Sequence, residues 1–304
     1  MKKAFTLLEV MIVLIVMGIV AMISSEIIAR MYERYLLNRA TATMEAKTEL
    51  ALDIIARRLQ NRIKESTVAR ISTASANYRA LADANDSYHV LEWIGYDADG
   101  LNGGGGGTYA KPGWSGFCDL IPSNGTKIVS PGSNFITIEK PILEELTDDV
   151  SIDGSRAQYP AIIFKGSRGE FNASKFGWGG GDHNYSIRVK AVDDTTLQLL
   201  DKTDQISERY LLSMSAYALV PEGADCGAET PGDCNLTLYY DFQPWEHETV
   251  TSPGTKKSIL IDHITTFRFI QEGRTIHLKL CASDPGLNRF MEEDVAICKE
   301  KVIR

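Results

Sequence analysis

The chain has 304 residues, 44% of them hydrophobic and 24% charged, proportions ordinary for a protein that folds around a core. Its net charge of -8 is unevenly spread: residues 26–70 carry nine Lys/Arg against six Asp/Glu, and the remainder of the chain is strongly acidic. An acidic body repels phosphate, which argues against nucleic acid as the partner of the C-terminal part.

The chain opens Met1-Lys2-Lys3-Ala4-Phe5-Thr6-Leu7-Leu8-Glu9-Val10, and from Phe5 to Ile23 its one charged residue is Glu9. As a helix these positions span ~28 Å, close to the hydrocarbon thickness of a bilayer. A cleaved secretory signal would have a shorter apolar run and a small-x-small site, and Ala21-Met22-Ile23-Ser24 supplies neither. A plain membrane anchor accounts for the length and the lysines. It leaves Glu9 unexplained, because a carboxylate within an apolar helix is costly without a partner. The structural alternative for Glu9 is a place at the membrane interface.

The run Lys2-Lys3-Ala4-Phe5-Thr6-Leu7-Leu8-Glu9 resembles the processing motif of type IV prepilins, although Ala4 stands where that family usually has Gly. The resemblance implies cleavage between Ala4 and Phe5 by a prepilin peptidase, N-methylation of Phe5, and an assembly role for Glu9. In a bundle of such helices the Glu9 carboxylate would pair with the new amine of a neighbouring subunit, fixing register where an unpaired charge is expensive. The positive-inside rule alone is ambiguous, since Arg30, Arg34 and Arg39 follow the span as Lys2 and Lys3 precede it. The motif implies a cytoplasmic leader 1–4, a transmembrane half-helix 5–25, and a head outside the inner membrane, periplasmic or extracellular.

Residues 26–66 contain neither Pro nor Gly, and Met44, Thr48, Leu52, Ile55, Leu59 and Ile63 recur at helical spacing. This predicts a stem helix over 26–66 continuous with the span, and it places Arg57, Arg58, Arg62 and Lys64 on a solvated face.

From residue 67 to 304 the pattern turns to short strands. Those predicted are His89–Tyr96, Phe135–Lys140, Ala161–Lys165, Tyr185–Val192, Thr196–Leu200, Tyr210–Val220, Leu236–Phe242, Ser258–Ile261, Thr266–Gln271, Thr275–Cys281 and Ala296–Ile303. Glu272-Gly273 between alternating segments reads as a hairpin turn. No strand-helix-strand alternation occurs, so the expected fold class is α+β: a long transmembrane-plus-stem helix packed on a mainly antiparallel, pilin-like β head. The order of these pieces looks like the larger minor pilins and pseudopilins of the J or W type.

The five cysteines all lie in the head. Cys226 and Cys234 bracket a short polar loop, and Cys281 and Cys298 fall in the last two strands; both pairs are candidate disulfides, with Cys118 left over. No metal-ligand spacing accompanies them. Asp97-Ala98-Asp99-Gly100 resembles the start of a calcium loop but lacks its closing acid, so Asp97 and Asp99 are weak cation candidates and a surface turn is the expected reading. Gly177–Asp182 lacks the Lys-Ser/Thr of a phosphate loop, and the five scattered histidines form no nucleophile–base motif.

The expected function is therefore structural, with no cofactor and no enzymatic chemistry. The chain reads as a minor pilin or pseudopilin that initiates or caps a type II secretion pseudopilus or a type IV pilus. Its implied partners are the prepilin peptidase, other pilins or pseudopilins and an inner-membrane assembly platform. An alternative is a tip module that binds exported substrate, a surface or DNA; a membrane-tethered enzyme ranks third.

Overall fold

The computed structural model describes residues 6–75, 77–103, 111–166, 172–223, 226, 234–284 and 296–304. Helix α1 runs unbroken from Leu7 to Gln60, 54 residues or about 80 Å. Its first buried residue is Met44, followed by Thr48, Ala51, Leu52, Ile55, Ala56 and Leu59. The helical stripe read from the sequence is thus the face that meets the head. Every residue of the helix before Leu36 is exposed, so about 43 Å of it projects bare.

The helix ends at Gln60, short of residue 66. Arg62 explains the stop: it is buried, and its guanidinium donates 2.7 Å to the Leu59 carbonyl at the helix C-terminus, where a cation is favoured. Ile63 N then donates 2.8 Å to Ile94 O, turning the chain onto a sheet. Of the basic residues expected on a solvated face, Arg57, Arg58 and Lys64 are exposed and Arg62 is not.

Among the described residues the head contains three sheets, and every strand pair within them is antiparallel. The strands in chain order are β1 (Val68–Arg70), β2 (Arg79–Ala80), β3 (Val90–Gly95), β4 (Asp119–Asn124), β5 (Lys127–Val129), β6 (Ala161–Phe164), β7 (Ile187–Asp193), β8 (Thr196–Leu199), β9 (Tyr210–Ser213) and β10 (Ser215–Gly223). They continue with β11 (Cys234–Phe242), β12 (Lys256–Ile261), β13 (Ile264–Glu272), β14 (Thr275–Ser283) and β15 (Ala296–Ile303). Two short helices interrupt them, α2 (Ala98–Asn102) and α3 (Lys140–Leu146). The first sheet has the order β12-β11-β10-β3-β1-β2, the second β4-β5-β8-β7-β6-β9, and the third β13-β14-β15.

Alternation along β3 shows how these layers meet. Leu91 and Trp93 join a core with Leu52, Ile55 and Leu59 of α1 and with Leu278, Leu280 and Ile303 of the third sheet. Val90 and Ile94, on the opposite face, join a second core with Ile163, Phe176, Trp178 and Trp245. The stem is therefore gripped by the first and third sheets together. The second sheet encloses its own core around Trp114, Phe135, Leu143, Ile162 and Leu212.

Two predicted strands differ. Phe135–Lys140 is a helical turn leading into α3, because the Asp194 carboxylate accepts from Ile136 N and Thr137 N at 2.9 Å each and Pro141 sits in the first turn of α3. Tyr210–Val220 is two strands: β9 pairs with β6 in the second sheet and β10 with β3 and β11 in the first, so the chain changes sheet at Met214. The predicted hairpin at Glu272-Gly273 joins β13 to β14, with Gly273 at φ 60°.

Candidate functional site

The site begins at the helix start. Thr6 is the N-cap of α1, with extended backbone geometry, and its side-chain oxygen accepts from Glu9 N at 3.4 Å. Thr6 and Glu9 have the spacing of a capping box, and Glu9 lies in the first turn, where the helix dipole favours a carboxylate. That local role is compatible with Glu9 meeting a cation from another chain, because Glu9 is exposed. The proposed cleavage pair, Ala4 and Phe5, lies outside the described residues. Thr6 follows that bond, so a chain cut there keeps its helix cap.

Beyond the cap the helix is apolar on all sides and covered by nothing. Leu7 is 80% exposed, Ile15 60% and Met22 70%, and no residue of its most apolar 18-residue window is buried. At roughly 25 cal/mol per Å2 of apolar surface, such a helix is stable only in lipid or among other apolar helices. Tyr32 and Tyr35 follow it, exposed, at the position of an interfacial aromatic belt. Arg30, one of the cations that obscure the topology, donates 2.6 Å to Glu26 one turn earlier.

Ion pairs tie the far end of the helix to the head. Lys47 Nζ lies 3.0 Å from Asp262, Lys299 Nζ lies 2.9 Å from Glu49, and Lys301 pairs with Asp53. Lys301 holds the Asp53 carboxyl below its ordinary range through that hydrogen bond. Sequence reasoning missed these pairs, since their members are more than 200 positions apart.

In the head, Cys226 and Cys234 are bonded, as are Cys281 and Cys298, which face each other directly across β14 and β15. Cys118 is free and buried. Asp97 and Asp99 part company: Asp99 is exposed, whereas Asp97 caps α2, its Oδ1 accepting 3.0 Å from Gly100 N. The residue that meets Asp97 is Glu139, which the sequence did not single out and which stands at the entry to α3. Burial pushes both carboxyls up, and the Asp97 charge raises Glu139 further, well above the usual range.

Folding also brings His183 and His247 together, ring centres 5.7 Å apart, with His183 Nδ1 3.7 Å from Asp201. Arg188 holds Asp201 at 2.7 Å and Glu246 at 3.2 Å, so these acids already have a cation. Among the described residues no group of three or more His, Cys, Asp or Glu side chains is placed to hold a metal ion. The glycine run at 104–107 lies outside the described residues. Gly177 packs instead against the Pro244 carbonyl at φ 91°, an arrangement that serves packing in the second core.

Residues 1–25 match the family model described as the prokaryotic N-terminal methylation motif. No curated protein and no solved structure matches the chain. A methylation motif, a bare apolar helix continuous with a stem, and an antiparallel β head occur here in one chain. In that motif and that layout, a long N-terminal apolar helix followed by antiparallel sheets, the chain is similar to type IV prepilins and pseudopilins.

Proposed function

We propose that this protein is a minor pilin or pseudopilin, processed between Ala4 and Phe5, that initiates or caps a pilus or a type II secretion pseudopilus. The observation that carries the reading is helix α1: about 43 Å of it, Glu9 included, is exposed and packs on nothing within the described chain. Membrane lipid satisfies the apolar side chains before assembly, and neighbouring helices satisfy them afterwards. Lipid does not satisfy Glu9, whereas the methylated Phe5 amine of an adjacent subunit does, so pairing rewards one axial register.

The head supports a low-copy, terminal position. Its three sheets extend well beyond the stem, a bulk that a close-packed repeating shaft accommodates poorly. In this reading the helix is inserted in the inner membrane with its N-terminus cytoplasmic and its head periplasmic or extracellular, where both disulfides are permitted. The chain then works through subunit contacts and an assembly platform, with no catalysis of its own.

The test is a deletion complemented by wild type or by Glu9→Val, scored by sheared filaments or secreted cargo and by cross-linking to companion subunits. Wild type should restore filaments or secretion and cross-link through its helix. Glu9→Val should stay membrane-bound and cross-link less. Normal filaments and secretion in the deletion strain, with no cross-linked pilin partner, would rule the proposal out.

A further inference from the structure

Glu139 is 0% exposed and Asp97 1%. No N–H or hydroxyl in the described chain donates to either oxygen of Glu139. Asp97 is differently placed: Gly100 N donates to Oδ1, and Trp114 Nε1 donates to Oδ2 at 3.2 Å. The two carboxyls converge because glycine stands between them. A Cβ added at Gly100 would overlap both Asp97 Oδ2 and Glu139 Oε2, and one at Gly113 would overlap Glu139 Oε2. That Gly100 Cβ would lie 1.9 Å from Asp97 Oδ2 and 2.1 Å from Glu139 Oε2, so the two oxygens face each other closely, both removed from solvent.

Two bare carboxylates cannot occupy such a site; a proton or a cation must lie between them. The surrounding donors decide in favour of the proton. Both oxygens of Asp97 already accept N–H bonds, as an ionised carboxylate should, and Glu139 has none, as fits the member that keeps its proton and donates it. The titratable groups that feel the pair are Asp99 of α2, Tyr210 of β9 and Tyr217 of β10, all acids. Lys140, next to Glu139, is turned to Asp153 at 2.5 Å and brings no compensating charge.

We propose that Asp97 and Glu139 share one proton and form a pH-sensitive latch between α2 and the entry to α3. Losing the proton sets two negative charges against each other within the core of the second sheet. The repulsion parts α2 and Trp114 from α3. It also reaches the crossover between sheets, because Asp97 N donates 2.8 Å to Leu212 O in β9, just before the chain changes sheet. In an exported head this makes the second sheet tighter in acid and looser in alkali.

The sign follows from linkage. A carboxyl that keeps its proton in the folded chain and loses it in the unfolded one contributes stability at low pH, and that stability drains away as pH rises above the unfolded value. The test is the melting temperature of the full chain in detergent, from about pH 5 to about pH 8, for wild type, Glu139→Gln and Asp97→Asn. Either amide supplies an N–H donor to the remaining carboxylate without a proton, and Asn still caps α2. Wild type should lose melting temperature with rising pH relative to both variants, so that Glu139→Gln melts higher than wild type at the alkaline end. If Glu139→Gln fails to fold, the Asp97→Asn comparison carries the test. Parallel pH profiles in wild type and variants would overturn the latch. So would a calcium-induced rise in wild-type melting temperature that is absent from Glu139→Gln, since a cation would then bridge the pair.

Discussion

Arg70 of β1 and Glu92 of β3 form an ion pair almost wholly removed from water, 3% and 1% exposed, on the face of the first sheet turned away from the stem. Arg70 also donates to the Thr73 carbonyl at 2.9 Å and lies 4.8 Å from the ring centre of Tyr78, which stacks on Trp178. Burial pushes the Glu92 carboxyl up, and Arg70 opposes it. Removing one partner of such a pair strands the other. Arg70→Met should therefore cost about 3–5 kcal/mol in chemical denaturation, and Arg70→Met/Glu92→Met should recover most of the loss. A single variant as stable as wild type would show that the pair is not buried.

The grip on the stem rests on apolar contact more than on charge. Leu52→Ala removes a side chain that is 1% exposed where α1 meets two sheets and should cost about 2–5 kcal/mol. The half-exposed pairs Lys299–Glu49 and Lys301–Asp53 should contribute much less: Lys299→Ala/Lys301→Ala should lower the melting temperature slightly at low salt and less at high salt. Thermal melts over a salt series separate the two effects.

Each disulfide staples a different part of the head. Cys281–Cys298 closes a separation of 17 residues and fixes β15, the strand that carries both stem-binding lysines, whereas Cys226–Cys234 closes only 8. By loop entropy each is worth about 3 kcal/mol, the longer slightly more. Cys281→Ser/Cys298→Ser should also raise hydrogen exchange in β15 and in residues 44–59 of α1, and Cys226→Ser/Cys234→Ser should leave those segments protected.

Two phenols, Tyr78 half-buried and Tyr210 buried, set an alkaline limit. Tyr78 and Tyr210 are each pushed up to about 12, chiefly by burial, and the Tyr210 hydroxyl lies 2.7 Å from Ser130 Oγ. Unfolding returns them to about 10. Between those values the folded chain holds more protons than the unfolded one, so stability falls as pH rises through that window. Spectrophotometric titration should show these tyrosines ionising only with unfolding, and Tyr210→Phe should shallow the decline at a neutral-pH cost of about 1 kcal/mol.

The membrane helix and stem stripe were legible because their signals are local: an unbroken apolar run with one acid, then apolar residues at helical spacing. A strand with alternation and flanking turns, such as Thr275–Cys281 within β14, was equally plain. Phe135–Lys140 misled because its β-branched and aromatic residues favour a strand while its fate is set by Asp194, nearly sixty positions away. Tyr210–Val220 reads as one strand because nothing in the sequence marks the change of sheet at Met214. β1, β4 and β5 escaped notice because they are short or carry Pro, Ser and Asn, and pairing holds them more than propensity does. Within the candidate site, Glu9 announced itself by being a lone acid in an apolar run. Glu139 sits among ordinary charged residues, and only the fold carries it to Asp97.

The central claim is that the first residues are a prepilin-type processing signal. Intact mass and N-terminal sequence of the protein, expressed with and without a prepilin peptidase, test it most directly. The peptidase should yield a chain beginning with N-methylated Phe5, and without it the chain should retain Lys2-Lys3-Ala4. An uncut chain in the presence of an active peptidase, or a cut beyond Ile23, would contradict it.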